Sequence, residues 1–181
     1  ALLESRLVIG DQKLFEKLEK TILARCVEGH EEDYIEARMK DQAARRAKFG
    51  NSATMQEANI KNGCGGLRDY QNLRWMTSFK HRIRTLAELE KREFIAAPER
   101  KKLESAYVFL LTVRDELHYL STSGRDPHET LAKALQPTVA TNLGYTDRSP
   151  SRRIERFMRD LYNHMRNVYL ITRTMEERLA G

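Results

Sequence analysis

The chain has 181 residues, of which 32 are Lys or Arg and 26 are Asp or Glu, so its formal net charge is +6. With 40% apolar residues it can build a core and is not disordered. Its longest apolar runs, such as residues 108–113, are far shorter than the ~20 residues that cross a bilayer, and its first ten residues lack the pattern of a secretion signal. We expect one domain over residues 1–181, with Cys26 and Cys64 as free thiols in the reducing cytoplasm.

The first half of the chain predicts two long helices and then a loop. Asp11 is suited to cap a first helix, which apolar residues at helical spacing extend to about Val27. A second helix follows Gly29, carries acidic residues in its first turn and ends at Gly50. Residues 50–66 show no sustained period, and loops of this length are often functional.

Five further helices are predicted after this loop. A third begins at Leu67 and a short fourth, capped by Thr85, extends over Phe94. A fifth, of about 24 residues, begins at Pro98.

The chain then restarts at Asp126-Pro127 after Gly124, and a short sixth helix ends before Gly144. A long seventh helix opens at Pro150 with apolar residues every seven positions. No stretch alternates with period two. The expected fold is therefore all-α, an antiparallel bundle of long amphipathic helices with shorter additional helices.

Common catalytic signatures are missing from the sequence. His30-Glu31 and His128-Glu129 are not followed by the second histidine that a zinc protease requires. The sequence also lacks a His-Asp pair, a Gly-x-Ser-x-Gly elbow and a phosphate-binding P-loop pattern. No catalytic residue and no metal ligand is therefore predicted in these 181 residues.

One segment, residues 59–71, reads as a site because a glycine-rich turn directly precedes a helix. Free backbone N–H groups of Gly65, Gly66 and Leu67 would point out of the helix start, and Lys61 and Arg68 would add positive charge. These are the parts of a phosphate cradle. The alternative is a tight loop without a ligand.

The string NIKNGCGGLRDYQ resembles the NIKxGxGGLRDxQ signature of the bacterial protein-PII uridylyltransferase/uridylyl-removing enzymes. LLESRLVIGD, ARRAKFGNSA, LGYTD and RIERFMRDLYNHMRNV resemble further segments of that family. The resemblance implies a helical domain packed after a catalytic nucleotidyltransferase domain. It also implies an enzyme that uses Mg²⁺ and UTP to attach uridylyl groups to a tyrosine of the PII signal protein.

On this resemblance we expect the turn to face the cleft of the catalytic domain, with Lys61 and Arg68 on the nucleotide phosphates or on the outer shell of the acidic metal cluster. The residues expected to face the nucleotide or its phosphates are Asn59, Lys61, Gly63, Gly65, Gly66, Arg68 and Asp69, with Arg45 and Arg46 as a possible extension. Two structural alternatives stay open: Asp69 pairs with Arg68 or an adjacent cation, and Asn59 only caps the turn. Arg45 and Arg46 could equally form a solvated helix end.

The Gly-Ser followed by Asp-x-Asp that holds the metals in nucleotidyltransferases is absent from the chain. The resemblance therefore places the Mg²⁺ ligands outside it and predicts that the chain alone is inactive.

Other functions stay open. They are a related nucleotidyltransferase-like signalling protein, a docking scaffold for PII, and a basic nucleic-acid-binding module. Arginines near the start of the last helix favour a nucleic-acid-binding module, but acidic residues are interspersed among them.

Overall fold

The computed structural model describes residues 4–121 and 128–180. In these ranges the chain forms the following α-helices: α1 (Gln12–Ile22), α2 (Glu31–Phe49), α3 (Leu67–His81), α4 (Leu86–Lys91), α5 (Ala97–Tyr119), α6 (Gln136–Asn142) and α7 (Pro150–Ala180). Extended pairing in the described ranges is limited to an isolated antiparallel bridge between Asn59 and Thr130. The all-α fold is confirmed. The expected restart at Gly124 and Asp126-Pro127 lies outside the described residues.

The predicted caps explain where the helices begin. The Asp11 carboxylate accepts a hydrogen bond from the Leu14 N–H at 2.8 Å, and Thr85 with Glu88 forms the predicted capping box. Two boundaries differ from the predictions. The last turn of the first helix, Leu23–Val27, is π-helical, and α4 ends at Lys91 so that Phe94 follows it.

Packing of α3 and α5 against α7 forms the apolar core. The stripe of α5 that repeats every seven residues is fully buried, and so is the central part of its counterpart on α7: Leu103, Leu110, Leu117, Leu161 and Val168. Burying such stripes is the main stabilising term for a bundle of this kind. In the described ranges, no helix has the length and apolar character needed to cross a membrane.

The loop between α2 and α3 is held on both sides. The Ile60 N–H donates to the Glu129 carbonyl at 2.8 Å, and the Leu131 N–H donates to the Ala58 carbonyl at 2.9 Å. On the other side α2, α3 and α7 pack against one another. The end of the loop is therefore fixed at the start of α3.

Candidate functional site

In residues 59–69, called here the glycine turn, the backbone N–H groups that were expected to be free are hydrogen-bonded within the turn itself. The Gly66 N–H donates to the Gly63 carbonyl at 2.9 Å, and the Leu67 N–H donates to the Ile60 carbonyl at 3.0 Å. The Gly65 N–H donates to the Asp69 carboxylate at 2.9 Å. The expectation of free N–H groups at Gly65, Gly66 and Leu67 is therefore wrong, because the fold satisfies these donors.

The glycines are required by close backbone packing. Gly65 has φ +74°, and a Cβ there would overlap the backbone carbonyl oxygen of Met165 in α7. A Cβ at Gly63 or Gly66 would lie 2.5 Å or 2.6 Å from a backbone carbonyl oxygen of the same loop. All three glycines are buried. They shape the turn and seat it against α7.

Asp69 is fully buried and lies at the centre of a polar cluster. Its carboxylate lies 3.3 Å from Arg45 Nη1 and 3.4 Å from Arg46 Nη2. Gln42 Nε2 donates to it at 3.4 Å, and the Gly65 N–H bonds to it as well. The partners of Asp69 are thus cations of α2 rather than Arg68, its neighbour in sequence. With side chains 12% and 17% exposed, Arg45 and Arg46 are not a solvated helix end.

Asn59 both caps the turn and ties it to the chain after α5. Its Oδ1 accepts a hydrogen bond from the Asn62 N–H at 2.7 Å. Its Nδ2 donates to the Thr130 hydroxyl at 3.2 Å. The side chain is buried and fully engaged, so it positions the loop.

The backbones of Lys61 and Arg68 are joined, because the Arg68 N–H donates to the Lys61 carbonyl at 2.8 Å. Lys61 Nζ lies 3.7 Å from Glu129 Oε1 and is one-third exposed. The Arg68 guanidinium lies over the Trp75 ring at 5.3 Å from its centroid. The guanidinium of Arg68 makes no hydrogen bond or ion pair with any residue that the structure describes.

Further cations surround Arg68. Burial lowers the pKa of Arg68, and the nearby positive charges of Arg45, Arg38 and Arg114 lower it further against the opposing effect of Asp41. We call the five residues Arg38, Arg45, Lys61, Arg68 and Arg114 the cationic patch.

Carboxylates pair with the other four cations of the patch. Asp41 lies 3.7 Å from Arg38 and 3.5 Å from Arg45, and Glu129 lies 3.7 Å from Lys61 and 2.6 Å from Arg114. Arg45 Nη2 is buried without a hydrogen-bond acceptor among the described residues and does not reach the surface. The guanidinium of Arg68 is therefore the cation of the patch best suited to bind an anion.

A second buried carboxylate lies behind the cluster. Glu176 of α7 is 2% exposed, and its Oε2 lies 4.0 Å from Arg46 Nη2. Burial raises the pKa of Glu176 to about 7, although Gln42 and Arg46 partly oppose the shift. Burial likewise raises the pKa of the Cys64 thiol to about 11. Neither group reaches solvent, so both belong to the support beneath the turn.

Sequence reasoning did not single out Trp75, Gln42 or Glu176. Trp75 follows Arg68 by seven residues and so shares its helix face, a spacing that could have paired them. Gln42, Arg45 and Arg46 lie on one face of α2, because they are three and four residues apart. The burial of Glu176 depends on contacts between distant segments, which the sequence did not indicate.

The described residues do not fit a metal ion. Within residues 4–121 and 128–180, no group of three His, Cys, Asp or Glu side chains could hold one. The placement of Mg²⁺ ligands outside this chain stays a prediction, and no chemical step is assigned to a metal here.

Comparison with known proteins identifies relatives over the whole chain. Three curated proteins named bifunctional uridylyltransferase/uridylyl-removing enzyme align with it. The protein of Rhodospirillum rubrum is 35% identical over 96% of the chain, that of Caulobacter vibrioides 35% over 100%, and that of Azospirillum brasilense 32% over 96%. The chain spans only 18% or 19% of the length of these relatives. No solved structure matches it.

The sequence model of the family described as GlnD PII-uridylyltransferase matches residues 33–175, which include most of α2, the glycine turn and most of α7. The polar cluster and the cationic patch therefore lie within the matched region. The chain belongs to the PII-uridylyltransferase family.

Proposed function

We propose that residues 1–181 are the helical domain of a PII uridylyltransferase, and that the cationic patch faces UTP bound to a nucleotidyltransferase domain that precedes it. The observation that carries this proposal is Arg68, a partly buried cation whose guanidinium stacks on Trp75 and has no hydrogen-bond or ion-pair partner among the described residues. The partners would be UTP, the PII protein and the catalytic domain, in the cytoplasm.

The chemistry requires positive charge near the leaving group. In uridylyl transfer the tyrosine hydroxyl of PII forms a bond to the α-phosphorus of UTP, and the bond from that phosphorus to pyrophosphate breaks. Pyrophosphate leaves with additional negative charge. Lys61 and Arg68 would stabilise that charge, because fixed cations at the leaving group lower the barrier. Metal ligands would come from outside this chain.

The buried residues beneath the cationic patch fit a role in stabilising the leaving group. Cations stabilise a transition state best when their positions are fixed in advance. Asp69 holds the turn through the Gly65 N–H, and Asn59 ties it to Thr130. Trp75 holds the Arg68 guanidinium by stacking rather than by neutralising it. The charge of Arg68 thus stays available.

The test compares Arg68→Ala and Lys61→Ala with wild type in the full-length protein. The measured quantity is kcat/KM for UMP transfer from UTP to PII. We expect a loss of at least ~10-fold for each variant, in line with removal of a cation that acts on the transition state. Arg74→Ala is the matched control, because Arg74 lies on the same helix and donates to the Arg84 carbonyl. An unchanged kcat/KM in folded Arg68→Ala would contradict the proposal.

The alternative of nucleic-acid binding gains no support from the arginines at the start of α7. Arg153 donates to the Asp147 carbonyl and to the Thr141 hydroxyl, and Arg156 lies 3.6 Å from the Asp147 carboxylate. These side chains organise the connection between α6 and α7. Salt-dependent DNA binding by the 181-residue chain would revive that alternative.

A further inference from the structure

The first helix carries an apolar face that the rest of the chain leaves uncovered. None of the 11 residues of α1, all of them described by the structure, is buried. Leu14 is 68% exposed and Leu18 is 46% exposed, and Ile9, which precedes the helix, is 91% exposed. Leu7, Ile9, Leu14, Phe15 and Leu18 line an open groove of about 520 Å³, which we call the α1 groove.

We expect another surface to pack on this apolar face. An isolated helix of this length is marginal in water, and helices in proteins gain most of their stability by packing an apolar face. The other face of α1 has a limited attachment, in which Glu19 pairs with Arg84 at 3.1 Å. α7 shows the contrast, since most of its apolar stripe is buried, from Phe157 to Leu179. Exposed apolar patches of this kind mark interaction surfaces.

The comparisons are consistent with a covering surface that lies outside these 181 residues. The family model begins at residue 33, so α1 lies outside the helical unit that it defines. Curated relatives nevertheless align over α1, and the chain amounts to less than a fifth of their length. α1 is the first helix, and residues 4–9 lead directly into it. In the proposed function the nucleotidyltransferase domain precedes these residues, and a unit joined on that side of the chain is tethered beside the α1 groove.

We infer that the α1 groove is the docking surface for the unit that precedes Ala1 in the full-length protein. This inference rests on the proposed function, in which that unit is the nucleotidyltransferase domain. The occupant presents an apolar surface, because the polar groups of the groove are confined to Asp11, Lys17 and Thr21. Since α1 leads through a π-helical turn towards α2, docking would also orient the helix that carries Arg45 and Arg46.

Cysteine labelling can test this contact directly. Leu14→Cys places a thiol on the groove, and Glu16→Cys is the matched control, because a residue two positions away lies on the far side of the helix. Both are made in a Cys26→Ser background, since Cys26 is exposed, whereas Cys64 is buried. Reaction with a maleimide is timed in the 181-residue chain and in the full-length protein.

We expect Leu14→Cys and Glu16→Cys to react at similar rates in the 181-residue chain. In the full-length protein Leu14→Cys should react at least ~10-fold more slowly, while the rate of Glu16→Cys stays unchanged. Equal rates for Leu14→Cys in the two proteins would overturn the inference. Protection within the 181-residue chain that grows with its concentration would also overturn it, because a second copy would then be the occupant.

The uridylyl-transfer assay separates this inference from the proposed function. If Arg68→Ala leaves kcat/KM unchanged while Leu14→Cys is protected in the full-length protein, the cationic patch has no role in transfer but the docking surface stands. If Arg68→Ala lowers kcat/KM while Leu14→Cys reacts freely, the docking surface is wrong and the function stands.

Discussion

The glycine turn contains two sets of residues that differ in their environment, a buried set and a partly exposed set. Gly65 and Asp69 are buried against α7 and α2, and every backbone donor expected to be free there is bonded. Lys61 and Arg68 are partly exposed, and Arg68 has no polar partner among the described residues. A single continuous signature therefore contains residues that build the turn and residues that remain available to a ligand.

Replacing Asp69 should have the largest effect on stability. Asp69→Ala leaves Arg45 and Arg46 without their buried partner, and removing one member of a buried charged cluster costs about 3–5 kcal/mol of unfolding free energy. Urea denaturation of the 181-residue chain measures this loss. Asp41→Ala is the control, because Asp41 is 44% exposed and should contribute below ~1 kcal/mol. Equal losses for the two variants would show that the cluster does not stabilise the turn.

Gly65→Ala should have the second largest effect, a loss of about 3 kcal/mol of unfolding free energy. The added Cβ meets the Met165 carbonyl oxygen and also forces alanine into a left-handed conformation. Gly144→Ala separates the two causes, since Gly144 has φ +85° but no atom within 4 Å of a new Cβ. Thermal unfolding should give the control a loss of only about 1 kcal/mol. Similar losses for both variants would exclude close packing on α7 as the reason for glycine.

Glu176 should make stability depend on pH. Its folded pKa of about 7 lies above the usual value of 4.5, so the folded state holds this proton more tightly than the unfolded state. The stability linked to this proton is complete below pH 4.5 and is lost as the pH rises through 7, by roughly 3 kcal/mol in all.

Glu176→Gln should remove that loss, which unfolding measurements at pH 5 and pH 8 can detect. Glu177→Gln, at an exposed neighbour, should keep the pH dependence of wild type. A pH dependence in Glu176→Gln identical to that of wild type would contradict the assignment.

Arg68→Gln should have the smallest effect on stability, below ~1 kcal/mol, because it removes a cation from a site crowded with cations and breaks only the contact with Trp75. The same urea experiment measures it. A loss as large as that for Asp69→Ala would show that Arg68 is structural. It would also remove the distinction between the buried set and the partly exposed set of residues.

Local chemistry made the helices predictable from the sequence. Asp11, Thr85 and the glycine at position 50 begin or end helices through contacts within a few residues, and the seven-residue stripes of α5 and α7 indicate their buried faces. The π-helical turn at Leu23–Val27 has no such local signature.

The site was only partly predictable. The resemblance indicated which residues belong together, but not that Asp69 pairs with Arg45 and Arg46, which are more than 20 positions away. Likewise, the spacing of Leu14 and Leu18 predicts an apolar helix face but not whether the chain itself covers it. Partners distant in sequence arise from packing, which periodicity does not encode.

A fluorescence titration can show whether the cationic patch binds an anion. Trp75 is the only tryptophan in the chain, and its ring contacts Arg68 and Arg38. Pyrophosphate should therefore change the emission of the 181-residue chain in a saturable way at ~millimolar concentration, and added salt should weaken binding. Lys61→Gln, which leaves the Trp75 contacts intact, should weaken binding at least ~10-fold. No saturable change, or equal binding by wild type and Lys61→Gln, would contradict an anion site at Lys61 and Arg68.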